Sequence, residues 1–159
     1  MRRPLLSLCR RLALRRYRTP VRTALLPLKE LRSAVVFVDA EREDADGVCG
    51  AVRDFFDSRG ISVRILCPQK RDLNWMGFRK ARVRASDGPL QEDLFLSLAA
   101  SPDNFAAEYE ARRSPARFKA GCVRLPGDVF DLVVTPAGEA ESGGEAVFSA
   151  MTDYLQKIR

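Results

Sequence analysis

The fold class is indicated by residues 33–68, SAVVFVDAEREDADGVCGAVRDFFDSRGISVRILCP. This stretch opens with a continuous apolar, β-branched run at 33–40 and closes with a second predicted strand, ISVRILCP, at 61–68. A continuous apolar run such as 33–40 is typical of a strand that is buried on both faces of a parallel sheet. The helix predicted between the two strands has a core face of Val48, Val52, Phe55 and Phe56. The stretch therefore predicts a β-α-β unit, whose crossover is almost always right-handed.

The rest of the domain continues this alternation after an irregular, basic segment at 69–92. Further strands are predicted at 93–100, 116–123 and 129–136, and helices at 101–114 and 145–159. Ser101 or Asp103 is available as the N-cap of the first of these helices. The buried face of the last helix is predicted to be Val147, Met151, Tyr154, Leu155 and Ile158. The order predicts a three-layer, Rossmann-like α/β sandwich with a mainly parallel sheet of about five strands.

A basic N-terminal arm precedes this domain. The chain has 159 residues and a net charge of +6, but the charge is unevenly distributed. Residues 1–32 carry ten Lys or Arg and one acid, whereas residues 33–159 carry seventeen Lys or Arg and twenty acids. We therefore divide the chain into an arm and linker at 1–32 and an α/β domain at 33–159. Such asymmetry favours a polyanion or an anionic membrane as the partner of the arm.

Residues 4–18, PLLSLCRRLALRRYR, predict a basic amphipathic helix within the arm. Its apolar side contains Leu5, Leu8, Cys9, Leu12 and Ala13, and Arg16 interrupts that side. Pro20 and Pro27 then break the helix, so that 19–32 reads as a linker or a second short helix. The predicted polyanion-binding residues are Arg2, Arg3, Arg10, Arg11, Arg15, Arg16, Arg18 and Arg22.

Several kinds of chemistry are excluded by composition. The chain has no histidine, which excludes Ser–His and Cys–His nucleophile pairs. Its four cysteines are far apart and form no CxxC, so no zinc site is expected. Free thiols in apolar surroundings favour a reducing, cytoplasmic location. No stretch approaches the roughly 18 apolar residues of a membrane span.

The loop after the first strand, DAEREDADG at 39–47, argues against a nucleotide cofactor. It holds five carboxylates, which repel phosphate, and it lacks the GxGxxG of a dinucleotide site. Asp39 and Glu41 are the candidates for Mg²⁺ at the end of the strand. The alternative is that the acids simply stabilise a helix N-terminus. We favour the second reading and predict neither a metal nor a cofactor.

A second basic surface is predicted from aromatic residues among Lys and Arg. Its candidate residues are Trp75, Phe78, Arg79, Lys80, Arg117 and Lys119. Aromatic side chains interleaved with cations are used to bind single-stranded nucleic acid. The alternatives, which we favour, are that Trp75 and Phe78 anchor the long loop, and that 114–121 is an edge strand guarded by charges.

Four stretches resemble a family of small, uncharacterised Bacteroidetes α/β proteins with a basic N-terminal helix. They are VVFVDAEREDADGV (35–48), DLNWMG (72–77), EDLFLSLAASPDNFAAEYEARRSPARFKAG (92–121) and FDLVV (130–134). Leu96 and Ser97 depart from the apolar–Asp pair common in that family, and Ala120 replaces a common Val. The resemblance implies a bacterial protein with this fold, and it does not indicate which activity the protein has. The same stretches distantly resemble the N-terminal half of heptosyltransferase-type glycosyltransferases.

Three classes of function follow from these observations. The first, which the sequence favours, is a non-enzymatic binding protein whose arm contacts RNA, for example as a ribosome-associated protein. The second is peripheral association with an anionic membrane surface at the inner membrane, or with a protein scaffold, including a second copy docked through the N-terminal helix. The third is a degenerate glycosyltransferase-like enzyme. The Arg-rich and Leu-rich arm also has the composition of a mitochondrial targeting segment.

Overall fold

Five parallel strands form the centre of the fold in the computed structural model, which describes residues 2–17, 26–88, 92–138 and 143–158. The strands are β1 Ser33–Phe37, β2 Ser62–Leu66, β3 Leu94–Ser97, β4 Phe118–Gly121 and β5 Leu132–Val133. They lie in the order β2-β1-β3-β4-β5, and each neighbouring pair is parallel. The predicted parallel sheet of about five strands is confirmed.

Helices cover both faces of the sheet. They are α1 Arg2–Leu14, α2 Ala45–Asp57, α3 Ala81–Ala85, α4 Phe105–Arg113 and α5 Gly144–Gln156. Helices α2 and α5 pack against one face and α4 packs against the other, which confirms the three-layer α/β sandwich. Short 3₁₀ turns lie at Leu28–Glu30 and Lys70–Asp72.

The alternation of side chains along β1 explains why this strand is apolar throughout. Ala34 and Val36 face the core formed with α2 and α5, whereas Val35 and Phe37 face the core formed with α4. All four are buried. Burial of these side chains removes apolar area from water, which contributes about 25 cal/mol per Å². The same five-residue strand stabilises both cores, because its side chains alternate between the two faces of the sheet.

The strand order changes direction between β1 and β3. The chain passes from β1 outward to β2 on one side and then returns to β3 on the other side of β1. In doubly wound sheets a crevice opens outside the carboxyl ends of the strands at this switch point. Here the loops that follow β1 and β3 meet at a cavity of about 840 Å³ lined by both acidic and basic side chains.

Two details of the predicted helices are wrong. The N-cap of α4 is Asn104, whose Oδ1 accepts a hydrogen bond from Ala107 N at 3.1 Å, rather than Ser101 or Asp103. In α5, Tyr154 is 47% exposed and Phe148 is buried in its place. Helix α5 turns the stripe of Val147, Phe148, Met151 and Leu155 towards the sheet, and Tyr154 lies beside that stripe on the solvent side.

A third cluster packs on the outer side of α4. Phe78 stacks on Tyr109 with ring centroids 4.5 Å apart, and Tyr17 meets the edge of the same ring at 5.3 Å. Leu14 completes the buried part of this cluster. The helix α1 and the turn around Phe78 therefore rest on α4 as an extra layer. Residues 18–25 of the expected arm and linker lie outside the described residues.

Candidate functional site

One face of α1 is fixed to the domain. Leu14 is buried against Phe78 and Tyr109, and the Arg10 guanidinium lies over the Phe105 ring at 5.1 Å from its centroid. Arg10 also lies against Gly77, where an added Cβ would be 3.2 Å from Arg10 Nη2. Gly77 has a φ of +83°, a conformation that favours glycine. Because glycine has no Cβ, this position also leaves room for the Arg10 side chain.

The opposite face of α1 presents leucines to solvent. Leu5, Leu8 and Leu12 are 66%, 54% and 51% exposed, and their spacing places them in one stripe. The side chains of Arg11, Arg15 and Arg16 are exposed on the same helix or directly after it. The expected apolar side therefore exists, but its leucines do not dock on the domain, since Leu14 and Arg10 define the docking face. We call this surface, made of the three leucines and the three arginines, the α1 outer face.

Trp75 adds an aromatic side chain to the same layer of the molecule. It lies at the tip of a turn in which Asn74 Oδ1 accepts hydrogen bonds from Met76 N at 2.9 Å and Phe78 N at 3.1 Å. Trp75 is 73% exposed, whereas Phe78 is buried. Phe78 thus anchors the loop, as one alternative predicted, but Trp75 does not.

Exposed large apolar side chains are concentrated on this layer. In the part of the chain that the structure describes, there are five: Leu5, Leu8, Leu12, Trp75 and Tyr154. All except Tyr154 belong to α1 or to the turn that packs on it. Such concentration, next to cations, is the feature that distinguishes this side of the molecule.

Five other arginines of the arm were also predicted to bind a polyanion. Arg2 and Arg3 begin α1, and Arg10 belongs to its docking face rather than to solvent. Arg18 and Arg22 lie outside the described residues.

The second predicted basic surface does not hold Arg79. This side chain is 6% exposed, and its Nη2 contacts both oxygens of Asp87 at 3.0 and 2.9 Å while its Nη1 lies 3.4 Å from Glu110 Oε1. Burial raises the pKa of Glu110, and the nearby charge of Arg79 acts in the opposite direction. In the sequence Arg79 stands among other basic residues, and this pattern gives no indication that it forms buried ion pairs with Asp87 and Glu110.

Lys119 is likewise not a surface residue, because β4 lies between β3 and β5 and is not an edge strand. Lys119 is 2% exposed, and its Nζ donates to Ala111 O at 2.5 Å. Burial lowers the pKa of Lys119 to about 8. Of the remaining predicted residues, Arg117 is exposed, and Lys80 is half-buried with its Nζ donating to Arg71 O at 2.7 Å.

Asp39 and Glu41 line the crevice at the switch point. Asp39 Oδ1 accepts a hydrogen bond from Glu41 N at 3.0 Å, and Glu41 lies 3.4 Å from Lys70 Nζ in a solvated ion pair. Within the described ranges, no group of three or more His, Cys, Asp or Glu is arranged to hold a metal ion. The crevice therefore offers mixed charge without a carboxylate cluster.

Another acid of the same loop has a structural partner. Asp44 Oδ2 accepts a hydrogen bond from Gly144 N at 2.9 Å, at the start of α5, and Asp44 Oδ1 accepts one from Arg42 Nε at 2.9 Å. The hydrogen bond from Arg42 lowers the pKa of Asp44. This loop thus joins the start of α2 to the start of α5.

Among the described residues, no helix has the length and apolar character needed to cross a membrane. Comparison of the chain with protein-family models, with curated proteins and with solved structures finds no match. The α1 outer face combines exposed leucines with exposed arginines on one side of the molecule.

Proposed function

We propose that this protein is a non-enzymatic binding protein that associates peripherally with an anionic membrane surface through the α1 outer face. The observation that carries the proposal is the exposure of Leu5, Leu8 and Leu12 beside Arg11, Arg15 and Arg16. A helix of this kind lies in the plane of the interface, with its leucines in the acyl boundary and its cations at the head groups.

The arginines and the leucines of the α1 outer face contribute similar free energies to membrane binding. An arginine near an anionic membrane surface contributes about 1 kcal/mol, so three contribute about 3 kcal/mol at moderate salt. Burial of the exposed parts of three leucines adds a comparable amount, since a fully buried leucine side chain contributes about 1.5–3 kcal/mol. Because α1 is already held on α4, little helix-ordering entropy is lost on binding.

The cytoplasmic face of the membrane is the location we propose. Cys9, Cys49, Cys67 and Cys122 are all free thiols. Free thiols persist in reducing compartments, and the cytoplasmic leaflet carries anionic lipids.

RNA, including ribosomal RNA, is the second candidate partner. Trp75 favours it, since an aromatic ring 73% exposed can stack on an unpaired base while arginines contact phosphates. Residues 1–32 contain nine arginines and one lysine, which suits bidentate phosphate contact. RNA gives no role to the leucine stripe, and we therefore place the membrane first.

Vesicle flotation of the full chain tests the proposal, using phosphatidylcholine vesicles with and without phosphatidylglycerol. We expect binding to the anionic vesicles only, with weaker binding at high salt because exposed charges are screened. The double variant Leu8→Asn, Leu12→Asn should bind at least about tenfold more weakly, because it removes apolar burial. Tyr154→Asn is the matched control and should bind like the wild type, since Tyr154 lies on α5.

Equal flotation of the leucine variant and the wild type would contradict the proposal. The proposal would also be contradicted if the wild type does not float and instead has a molecular mass that rises with protein concentration, with the leucine variant showing no such rise. That second result would assign the leucine stripe to a second copy of the chain.

A further inference from the structure

A separate cavity of about 300 Å³ lies between α3, the end of α4 and the sheet. Its apolar floor is formed by Val35, Leu66 and Phe95. Its charged lining comes from β2, from α3 and the residues next to it, and from the C-terminal end of α4. This volume is at the lower end of the range for small-molecule sites.

The carboxylates of this cavity already have partners. Asp87 and Glu110 both pair with Arg79. Glu92 accepts a hydrogen bond from the Ser114 hydroxyl. Burial raises the pKa of Glu92 and of Glu110, and the nearby charges of Arg64 and Arg79, respectively, act in the opposite direction.

Three further arginines line the cavity without a carboxylate partner. Arg64, Arg84 and Arg113 form no ion pair with any residue that the structure describes. Arg64 donates to the backbone oxygen of Asp87, and Arg113 Nη1 donates to the Tyr109 hydroxyl at 2.6 Å. The guanidinium groups of Arg84 and Arg113 lie 5.3 and 5.2 Å from the centroid of the Tyr109 ring.

Two of these guanidinium groups have buried nitrogen atoms without an acceptor. Arg64 Nη1 and Arg84 Nε are shielded from solvent and find no hydrogen-bond partner among the described residues. A buried donor of a charged group that lacks a partner is costly. Water can accept such hydrogen bonds, but it adds no negative charge to a lining that holds four arginines and three carboxylates.

We propose that this cavity binds a phosphate group, free or carried on a small molecule, held by Arg64, Arg84 and Arg113. Phosphate oxygens accept the bidentate hydrogen bonds that guanidinium groups donate, and the double negative charge offsets the unpaired cations. The site is separate from the α1 outer face, so it does not depend on the proposed membrane association.

Thermal unfolding of the full chain in inorganic phosphate tests this proposal, with sodium chloride holding the ionic strength constant. We expect the melting temperature to rise and to saturate with phosphate, because a ligand that binds only the folded chain stabilises it. Isothermal titration with inorganic phosphate and with glycerol 3-phosphate then distinguishes the sources. Tighter binding of glycerol 3-phosphate indicates a phosphorylated small molecule, and tighter binding of inorganic phosphate indicates the free ion.

Arg84→Gln should weaken phosphate binding at least about tenfold, since it removes a charge-assisted contact. The matched control is Arg82→Gln, because Arg82 is exposed on the same short helix and does not line the cavity. Arg113→Gln, with exposed Arg117→Gln as its control, gives a second pair if Arg84→Gln fails to fold by circular dichroism. The proposal is overturned if phosphate stabilises no more than chloride, or if the cavity variants and their controls respond alike.

Discussion

Lys119 shows how one buried side chain makes stability depend on pH. It lies in the central part of the sheet, where burial lowers the pKa of its amine to about 8 from an ordinary value of 10.5. Between these pH values the unfolded chain holds a proton that the folded chain has released. Raising the pH through this range therefore favours the folded state, by linkage.

We expect the free energy of unfolding of the wild type, minus that of Lys119→Met, to rise between pH 8 and about 10.5. Below pH 8 the difference should be nearly constant. Urea unfolding of both proteins at several pH values measures it. A difference that is flat across the range, or that falls, would show that the amine stays charged in the fold.

Gly121 is a second residue whose role depends on close packing. It is buried in β4, and an added Cβ would lie 2.3 Å from the ring of Phe130. Gly121→Ala should therefore destabilise the protein by about 1–3 kcal/mol through overpacking. Gly50→Ala in α2, where nothing lies within 4 Å, should instead stabilise by about 0.5–1 kcal/mol. Urea unfolding of both variants compares the opposite signs.

At the scale of the element, the start of α4 depends on a cap that the sequence pattern did not identify. Ser101, Asp103 and Asn104 are all acceptable N-cap residues, so composition alone does not choose among them. The structure chooses Asn104, while the Ser101 hydroxyl accepts from Asp103 N at 3.1 Å in the preceding turn. Asn104→Ala should cost about 1 kcal/mol in urea unfolding, and Ser101→Ala distinctly less. Equal losses would mean that the two contacts matter alike.

Helix α1 is the element whose stability depends most on docking. Its 13 residues are too few for a stable isolated helix, so its order depends on contacts such as that of Leu14 with Phe78 and Tyr109. Leu14→Ala should speed amide hydrogen exchange throughout α1 while leaving exchange in β1 unchanged. Leu12→Ala, at an exposed position, should leave amide exchange unchanged in both α1 and β1. Unaltered exchange in α1 of Leu14→Ala would show that another contact holds the helix.

At the scale of the whole molecule, the predictable part of the fold is the part with local periodicity. The run at 33–40 indicated a buried parallel strand because its apolar residues from Ala34 to Val38 lie in one core or the other. The order of the strands is set by long-range packing, and for that reason the interior position of Lys119 was missed. Tyr109 was missed as core for a similar reason, since its partner Leu14 is distant along the chain.

The candidate site was only partly predictable. The sequence indicated a cationic helix that contains leucines, but its helical periodicity alone does not show which face of the helix packs on the domain. The docking of Leu14 and Arg10 turns Leu5, Leu8 and Leu12 outward, and this orientation changes the favoured partner from RNA to a membrane surface. The cavity beneath α3 combines residues from five elements, so no local motif marked it.

Association of the α1 outer face with an anionic membrane surface is tested by the partition of the full chain between phosphatidylglycerol vesicles and structured RNA, mixed at equal concentrations of phosphate charge. We expect the wild-type chain to float with the vesicles and the double variant Leu8→Asn, Leu12→Asn to be released from them. A wild-type chain that stays with the RNA, and whose distribution the two substitutions leave unchanged, would rule out membrane association through this face.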